Sequence, residues 1–335
     1  MKKKIFCLVL ALVLCASLLC ACGNDTPVPS GHLRLKGRDV AVDWVVKVDG
    51  HEISADEYRY FFMNIVYGYT SDSEEEHKWT DGENEAVLSS ALEYIILNRA
   101  MYDLAERCGI TVDENDLADI DKTVAEMKAQ YGEEGFIEVL DSNYITPEYY
   151  PELLKSTVIQ EKLSEYLTGS DGEFYLTEAE MVDIVCSDYV CVRYLMLGLD
   201  EEGSTENRDR IAGYAAAIET KDDLITHINI YSEAVTMKNN PEGRYLALGQ
   251  DKDQLYLAAQ ELEIGEISPV VECDDGYYII LRQPIDVDFV TENADSFISL
   301  YQEKMIGQLL IEESEDTVID LNSDIYDRIS VKTMK

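Results

Sequence analysis

Histidine is scarce: four residues in 335, at His32, His51, His77 and His227. None is spaced from another as metal ligands require, and no G-x-S-x-G elbow, phosphate-binding loop or dinucleotide glycine pattern occurs. Conventional hydrolase, metalloenzyme and nucleotide-dependent chemistry is therefore unsupported, and no metal or other cofactor is expected. Basic side chains are also few, 27 against 67 acidic ones, for a formal charge of −40. So negative a surface repels phosphate backbones and excludes nucleic acid as a partner. Four of the eight cysteines lie in the first 22 residues. The other four, Cys108, Cys186, Cys191 and Cys273, match neither a zinc pattern nor a C-x-x-C redox site. Their pairing stays open, and Cys108, on a helical apolar stripe, reads as a small core residue.

Long apolar runs are absent except at the start. Lys2–Lys4 form a basic head, followed by an uncharged, mostly apolar stretch from Ile5 to Leu19. That stretch is short for a membrane span and right for a secretory signal. It leads into Leu19-Cys20-Ala21-Cys22-Gly23-Asn24, which resembles a bacterial lipobox with Cys22 as the lipidated residue. Cys20 fits less well, being preceded by bulky Leu19. The expectation is a signal peptide over 1–21, a diacylated Cys22 in the lipid bilayer, and a mature protein on the extracytoplasmic face of the cell membrane. Residues 22–42, with Pro27, Pro29, Ser30 and Gly31 and no periodicity, read as a flexible tether.

What is present is 46% hydrophobic residues in clear periodic blocks. Val45–Gly50 predicts a strand and turn. Ser54 predicts the cap of a helix carrying Tyr58, Phe61, Phe62 and Ile65. Thr80 with Glu83 forms a capping-box signature before a helix stopped at Gly109. A second helix is expected from Asp113 to Gly132, and a third from Thr146-Pro147 to Gly169. Beyond the Gly169–Gly172 break the pattern becomes mixed. It shows a helix capped by Thr177 and Glu180, a strand at Val190–Leu197, helices near 207–218 and 222–231, a helix near 255–262, and a strand at Tyr277–Leu281. A long amphipathic helix follows, about 292–312, with Phe297, Tyr301, Met305 and Leu309 inward. The class is α+β.

Leu262-Glu263-Ile264-Gly265-Glu266-Ile267-Ser268-Pro269-Val270, followed by Asp275-Gly276-Tyr277-Tyr278-Ile279-Ile280, resembles the C-terminal half of the parvulin domain. That family reads Gly-Glu-Ile-Ser, Pro-Val, and then a Gly-Tyr-His-Ile-Ile strand. Val192–Leu197 is similar to its first strand, Ile230–Glu233 to its Tyr-Ser-Asp segment, and Glu242–Leu246 stands where its Gly-Gly-Asp-Leu-Gly loop falls. The resemblance implies a parvulin-like domain over 177–285, a small antiparallel sheet with surrounding helices. The whole plan, with a helical block over 43–172 completed by a C-terminal segment at 286–335, resembles PrsA-type foldases and the SurA-type chaperones. It implies assistance to unfolded or partly folded exported polypeptides, with peptidyl-prolyl cis–trans isomerisation as the activity.

Such an activity needs no covalent chemistry. The X–Pro amide barrier of about 18–20 kcal/mol falls when an apolar slot grips proline and the twisted amide is hydrogen-bonded better than the planar one. In parvulins two histidines on neighbouring strands floor that slot. By the resemblance their positions are held here by Tyr194 and Tyr278, which become the catalytic candidates. Ser232, Ala234, Tyr245 and Leu255 fall at substrate-contacting positions. His227, in a predicted helix, lies off the floor strands. Tyrosine hydroxyls donate hydrogen bonds but do not titrate at neutrality. The alternative is therefore a non-catalytic peptide-binding chaperone with a degenerate parvulin domain. Homodimerisation is left open.

Overall fold

In the computed structural model the described residues are 26–70, 77–200, 203–249 and 252–334. The expected signal peptide, with Cys22, lies outside them. The chain divides into two compact units. One holds the described residues up to Phe174 together with Met305 onward; the other holds Tyr175–Lys304.

The first unit opens with a hairpin, β1 (His32–Leu35) and β2 (Arg38–Ala41). The expectation of a flexible tether to residue 42 is corrected here. Leu33 and Leu35 alternate inward into the core, while Lys36 and Gly37 take the positive φ values (52° and 73°) of a two-residue turn. Proline, serine and glycine around the strand hid a four-residue alternation. A second hairpin pairs β3 (Val46–Val48) with β4 (His51–Ile53) through Asp49-Gly50, which also has positive φ at both positions. The strand Ile319–Leu321 (β9) pairs with the free side of β3, and Asp49 Oδ1 accepts the Val318 N–H, 269 positions along the chain.

Helix α1 (Ala55–Thr70) is held at its start by Ser54 Oγ, which accepts the Glu57 N–H, and buries Tyr58, Phe61 and Phe62. Helix α2 (Asp81–Arg107) carries the complete Thr80–Glu83 capping box. Helix α3 (Glu114–Asp141), boxed by Asp113 and Asp116, does not end at Gly132 as expected. Gly132 leaves helical geometry (φ 72°, ψ 171°), after which the helix resumes and seats Phe136 and Leu140 in the core. Helix α4 (Tyr150–Thr168) begins later than Thr146-Pro147 implies. Thr146 instead accepts the Tyr149 N–H in a preceding turn, and Pro151 occupies the first helical turn.

Glu57, beside Asn98, Tyr102 and Tyr149, has its carboxyl pushed up to about 7 by burial, which the Asn98 hydrogen bond only partly offsets. The folded state thus favours the protonated acid. That contribution is complete below pH 4.5, the ordinary value, and is lost as pH rises through 7. Glu57→Gln is expected to raise stability by about 2 kcal/mol at pH 8 and by almost nothing at pH 4.5, read from urea unfolding at the two pH values. Equal effects at both would refute the assignment.

The second unit starts with α5 (Glu178–Asp188), boxed by Thr177 and Glu180, and runs directly into β5 (Tyr189–Gly198). Helices α6 (Glu206–Ala217) and α7 (Lys221–Tyr231), strand β6 (Arg244–Ala247), helix α8 (Asp253–Gln260) and strands β7 (Val271–Cys273) and β8 (Gly276–Gln283) follow. The sheet is antiparallel throughout, in the order β6-β5-β8-β7. Its two central strands are buried along nearly their whole length, so they read as continuous apolar runs. Gly243 enters β6 with φ 74°, and a Cβ there would lie 2.6 Å from the Val192 carbonyl oxygen. Helix α9 (Val287–Glu292) and the start of α10 (Ala294–Glu313) cover Tyr189 and Tyr245. Farther along α10, in the first unit, Ile306 and Leu310 are buried, with Met305 and Leu309 packed half-buried beside them. Cys108, Cys186, Cys191 and Cys273 are all unpaired; Cys108 is half-buried at the end of α2.

Candidate functional site

Strand pairing decides which residues meet. On β5 and β8, Tyr194 stands opposite Ile280 and Met196 opposite Tyr278. Tyr194 and Tyr278 are therefore diagonal neighbours on one face of the sheet. Their rings touch edge to face, with centroids 5.2 Å apart and planes at 67°. The sequence thus identified a true spatial pair. The two hydroxyls do not bond to each other. Tyr278 donates to Asp275 Oδ1 (2.8 Å) and accepts from Lys252 Nζ (3.0 Å), while Lys252 also pairs with Asp275. Tyr194 accepts from Arg244 Nη1 at 3.5 Å.

Burial drives the Tyr278 hydroxyl far above the ordinary tyrosine value, and the bond to Asp275 and the charge of that carboxylate add to the rise. Burial also acts to raise Asp275, but the bonds from Lys252 and Tyr278 outweigh it and hold the carboxyl below its usual range. Tyr278 hence stays protonated near neutral pH, as a hydrogen-bond donor to Asp275.

The rings are not the floor of an open slot. Tyr194 is 2% exposed and Tyr278 1%. They share one apolar cluster with the buried side chains of Leu246, Leu255 and Met237, and Ala234 packs against it half-buried. The other candidates part company. Ser232 is buried, but its hydroxyl accepts the Met196 N–H (3.2 Å) and Glu233 N–H donates to the Met196 carbonyl (2.9 Å). Ser232 thereby serves the backbone at the end of β5. Tyr245 stands opposite Cys191, on the reverse face of the sheet from Tyr194. There it stacks on Phe289 (5.6 Å, 12°), meets Phe297 edge to face, and its hydroxyl accepts the Asp286 N–H. Burial raises the Tyr245 hydroxyl to about 12. His227 lies on α7 against both Tyr214 and Tyr231, which stack on each other, with Nδ1 against the Asp223 carbonyl.

Three polar neighbours escaped the sequence reading: Arg244, Lys252 and Asp275. Strand parity was the available signal for Arg244, which pairs with Val192 on the Tyr194 face while Tyr245 points the other way. No local pattern marks Lys252 or Asp275, because they meet only through the fold. Among the described residues no cluster of three or more potential metal ligands occurs, and no helix is long and apolar enough to cross a membrane.

A unit of long helices with short hairpins, and a unit built on a small antiparallel sheet with surrounding helices and a buried aromatic pair, make the chain α+β. Residues 1–164 match the family described as the SurA-like N-terminal domain. Over 96% of its length the chain is 28% identical to the foldase protein PrsA of Halalkalibacterium halodurans, covering 83% of that protein. Among solved structures it is similar to the peptidylprolyl isomerase PrsA of Bacillus anthracis, at 21% identity and a TM-score of 0.36, over 66% of this chain and 94% of that one. It is also similar to a chain from the work on the structurally related SurA-like chaperones PEB4 and Cj1289 of Campylobacter jejuni. There identity is 14% and the TM-score 0.31, over 83% and 98% of the two chains.

Proposed function

We propose that the protein is an extracytoplasmic foldase of the chaperone kind, anchored through a lipidated Cys22, that binds unfolded exported polypeptides without catalysing prolyl isomerisation. The observation that carries the non-catalytic reading is the burial of Tyr194 and Tyr278 with both hydroxyls engaged by Arg244, Lys252 and Asp275. If these two residues hold the parvulin histidine positions, the floor that should face substrate is spent on the protein's own core. An isomerase lowers its barrier through groups that bond the twisted amide more strongly than the planar one, and groups already satisfied internally supply no such difference.

Client contact is assigned instead to exposed apolar side chains. Ile230, Tyr231 and Val235 flank the Ser232–Ala234 loop, and Val235 is 74% exposed. Adaptable apolar contact of this sort suits extended chains of varied sequence. The acidic surface adds a preference for basic clients that weakens as salt rises.

Refolding of a client limited by a prolyl bond tests the activity. The slow phase, tens of seconds uncatalysed, is expected to keep its rate within twofold at any protein concentration, while aggregation of the same client falls. A concentration-dependent acceleration would restore the enzyme reading. Labelled palmitate is expected to enter the wild-type chain and not Cys22→Ala; labelling of both would remove Cys22 as the anchor.

A further inference from the structure

Against a formal charge of −40, the segment ahead of and through the first hairpin turn is basic. From Thr26 to Arg38 it carries Arg34, Lys36 and Arg38 and no aspartate or glutamate. The β1–β2 hairpin turns this composition into a surface. Leu33 and Leu35 point into the core, and Lys36, Gly37 and Arg38 are exposed at the tip. The Lys36 N–H donates to the Thr333 carbonyl, and Leu35 bridges to Met334, which brings Lys332 beside the tip. The result is a cleft of about 540 Å³ lined by Arg34, Lys36 and Lys332, with Asp39 as its carboxylate and Thr26 at its edge.

The charges in the cleft are unequally committed. Arg34 is fixed: its Nε and Nη2 reach the two Asp39 oxygens (2.8 and 3.1 Å), and Nη1 donates to the Thr26 carbonyl (2.7 Å). Lys332 lies 3.5 Å from Asp81, with both side chains exposed, a contact that contributes little. Lys36 in the cleft, and Arg38 exposed beside it, have no carboxylate partner among the described residues. Around the cleft the balance is positive, and at physiological salt the acids of the remaining surface are screened beyond about 8 Å.

We propose that this cleft seats the phosphate headgroup of an anionic phospholipid, so that the N-terminal hairpin lies against the membrane. The inference rests on the lipid-anchor reading of Cys22. Thr26 is four residues beyond Cys22, and four residues span at most about 14 Å. A diacyl anchor at Cys22 would thus hold this acid-free basic segment within reach of headgroups, where each basic residue is attracted to an anionic leaflet.

The test uses the chain from residue 22 onward with Cys22→Ser, which keeps every described residue and removes the lipid. Flotation is measured with vesicles of phosphatidylcholine alone and with 30% phosphatidylglycerol. Binding is expected only to the anionic vesicles, falling at least tenfold from 50 to 500 mM salt. The triple variant Lys36→Glu, Arg38→Glu, Lys332→Glu is expected to lose at least tenfold. A control of equal charge change, Lys122→Glu, Lys128→Glu, Lys155→Glu, is expected to stay within twofold. Equal losses in the two triple variants, or equal binding to neutral vesicles, would overturn the proposal. So would loss of binding in 20 mM inorganic phosphate at constant ionic strength, which would make free phosphate the ligand. Because this chain is unlipidated, failure of the cleft is separable from failure of the anchor, which palmitate labelling reads.

Discussion

Asp141→Ala is expected to destabilise the first unit by about 3 kcal/mol, measured by urea unfolding at pH 7. Arg59 lies on α1 with its side chain almost wholly buried, and its Nη2 reaches Asp141 Oδ1 at 3.0 Å from the end of α3. Its Nε and Nη1 have no hydrogen-bond partner among the described residues. Burial alone lowers the proton affinity of this guanidinium, and the Asp141 charge is the main force holding it charged. Removing that carboxylate leaves a buried cation with only the smaller contribution of the Asp56 charge to offset its burial, the costly case for interior ion pairs. Asp141 also accepts the Val28 N–H, and Asp56 Oδ2 accepts from Ser30 Oγ and the Gly31 N–H, so the same charges hold the segment ahead of the first hairpin. Adding Arg59→Met to Asp141→Ala is expected to recover more than half of the loss, because a pair replaced by apolar volume costs far less than a pair broken. A loss under 1 kcal/mol for Asp141→Ala, or no recovery in the double variant, would refute this account.

The second large effect falls on the tyrosine pair. Tyr194→Ala is expected to cost about 3–5 kcal/mol in the unit 175–304, the usual penalty for deleting a large aromatic from a packed core. Wild type and variant should both leave the prolyl-limited refolding phase untouched. An open catalytic floor predicts the reverse pattern, small stability loss and large activity loss. Thermal unfolding and client refolding of one variant therefore separate the readings. Tyr278→Phe is expected to cost only about 1–2 kcal/mol, since Lys252 and Asp275 still satisfy each other.

Local signals carried much of the fold. The capping boxes at Thr80–Glu83 and Thr177–Glu180 and the stop at Gly109 mark helix ends because each satisfies backbone groups within a few residues. The strands at 189–198 and 276–283 were legible as apolar runs. Errors arose where tertiary contacts outweighed local chemistry. Gly132 has the conformation of a helix stop, yet Phe136 and Leu140 find core partners and the helix resumes. The Lys36-Gly37 turn lacks the Asn-Gly or Asp-Gly pair that announces a two-residue hairpin, so the strands beside it read as linker. At the candidate site the resemblance picked out Tyr194 and Tyr278, which do meet. It placed Tyr245 beside them, although strand alternation turns that residue to the opposite face and brings Arg244 in its stead.

The pairing of β3 with β9 has a consequence for how the molecule comes into being. Residues 46–48 pair on one edge with β4, which is close in the chain, and on the other with β9, which is far along it. Closing so long a loop makes the second pairing slow. Until β9 arrives, that edge of β3 is bare and open to pairing with another strand.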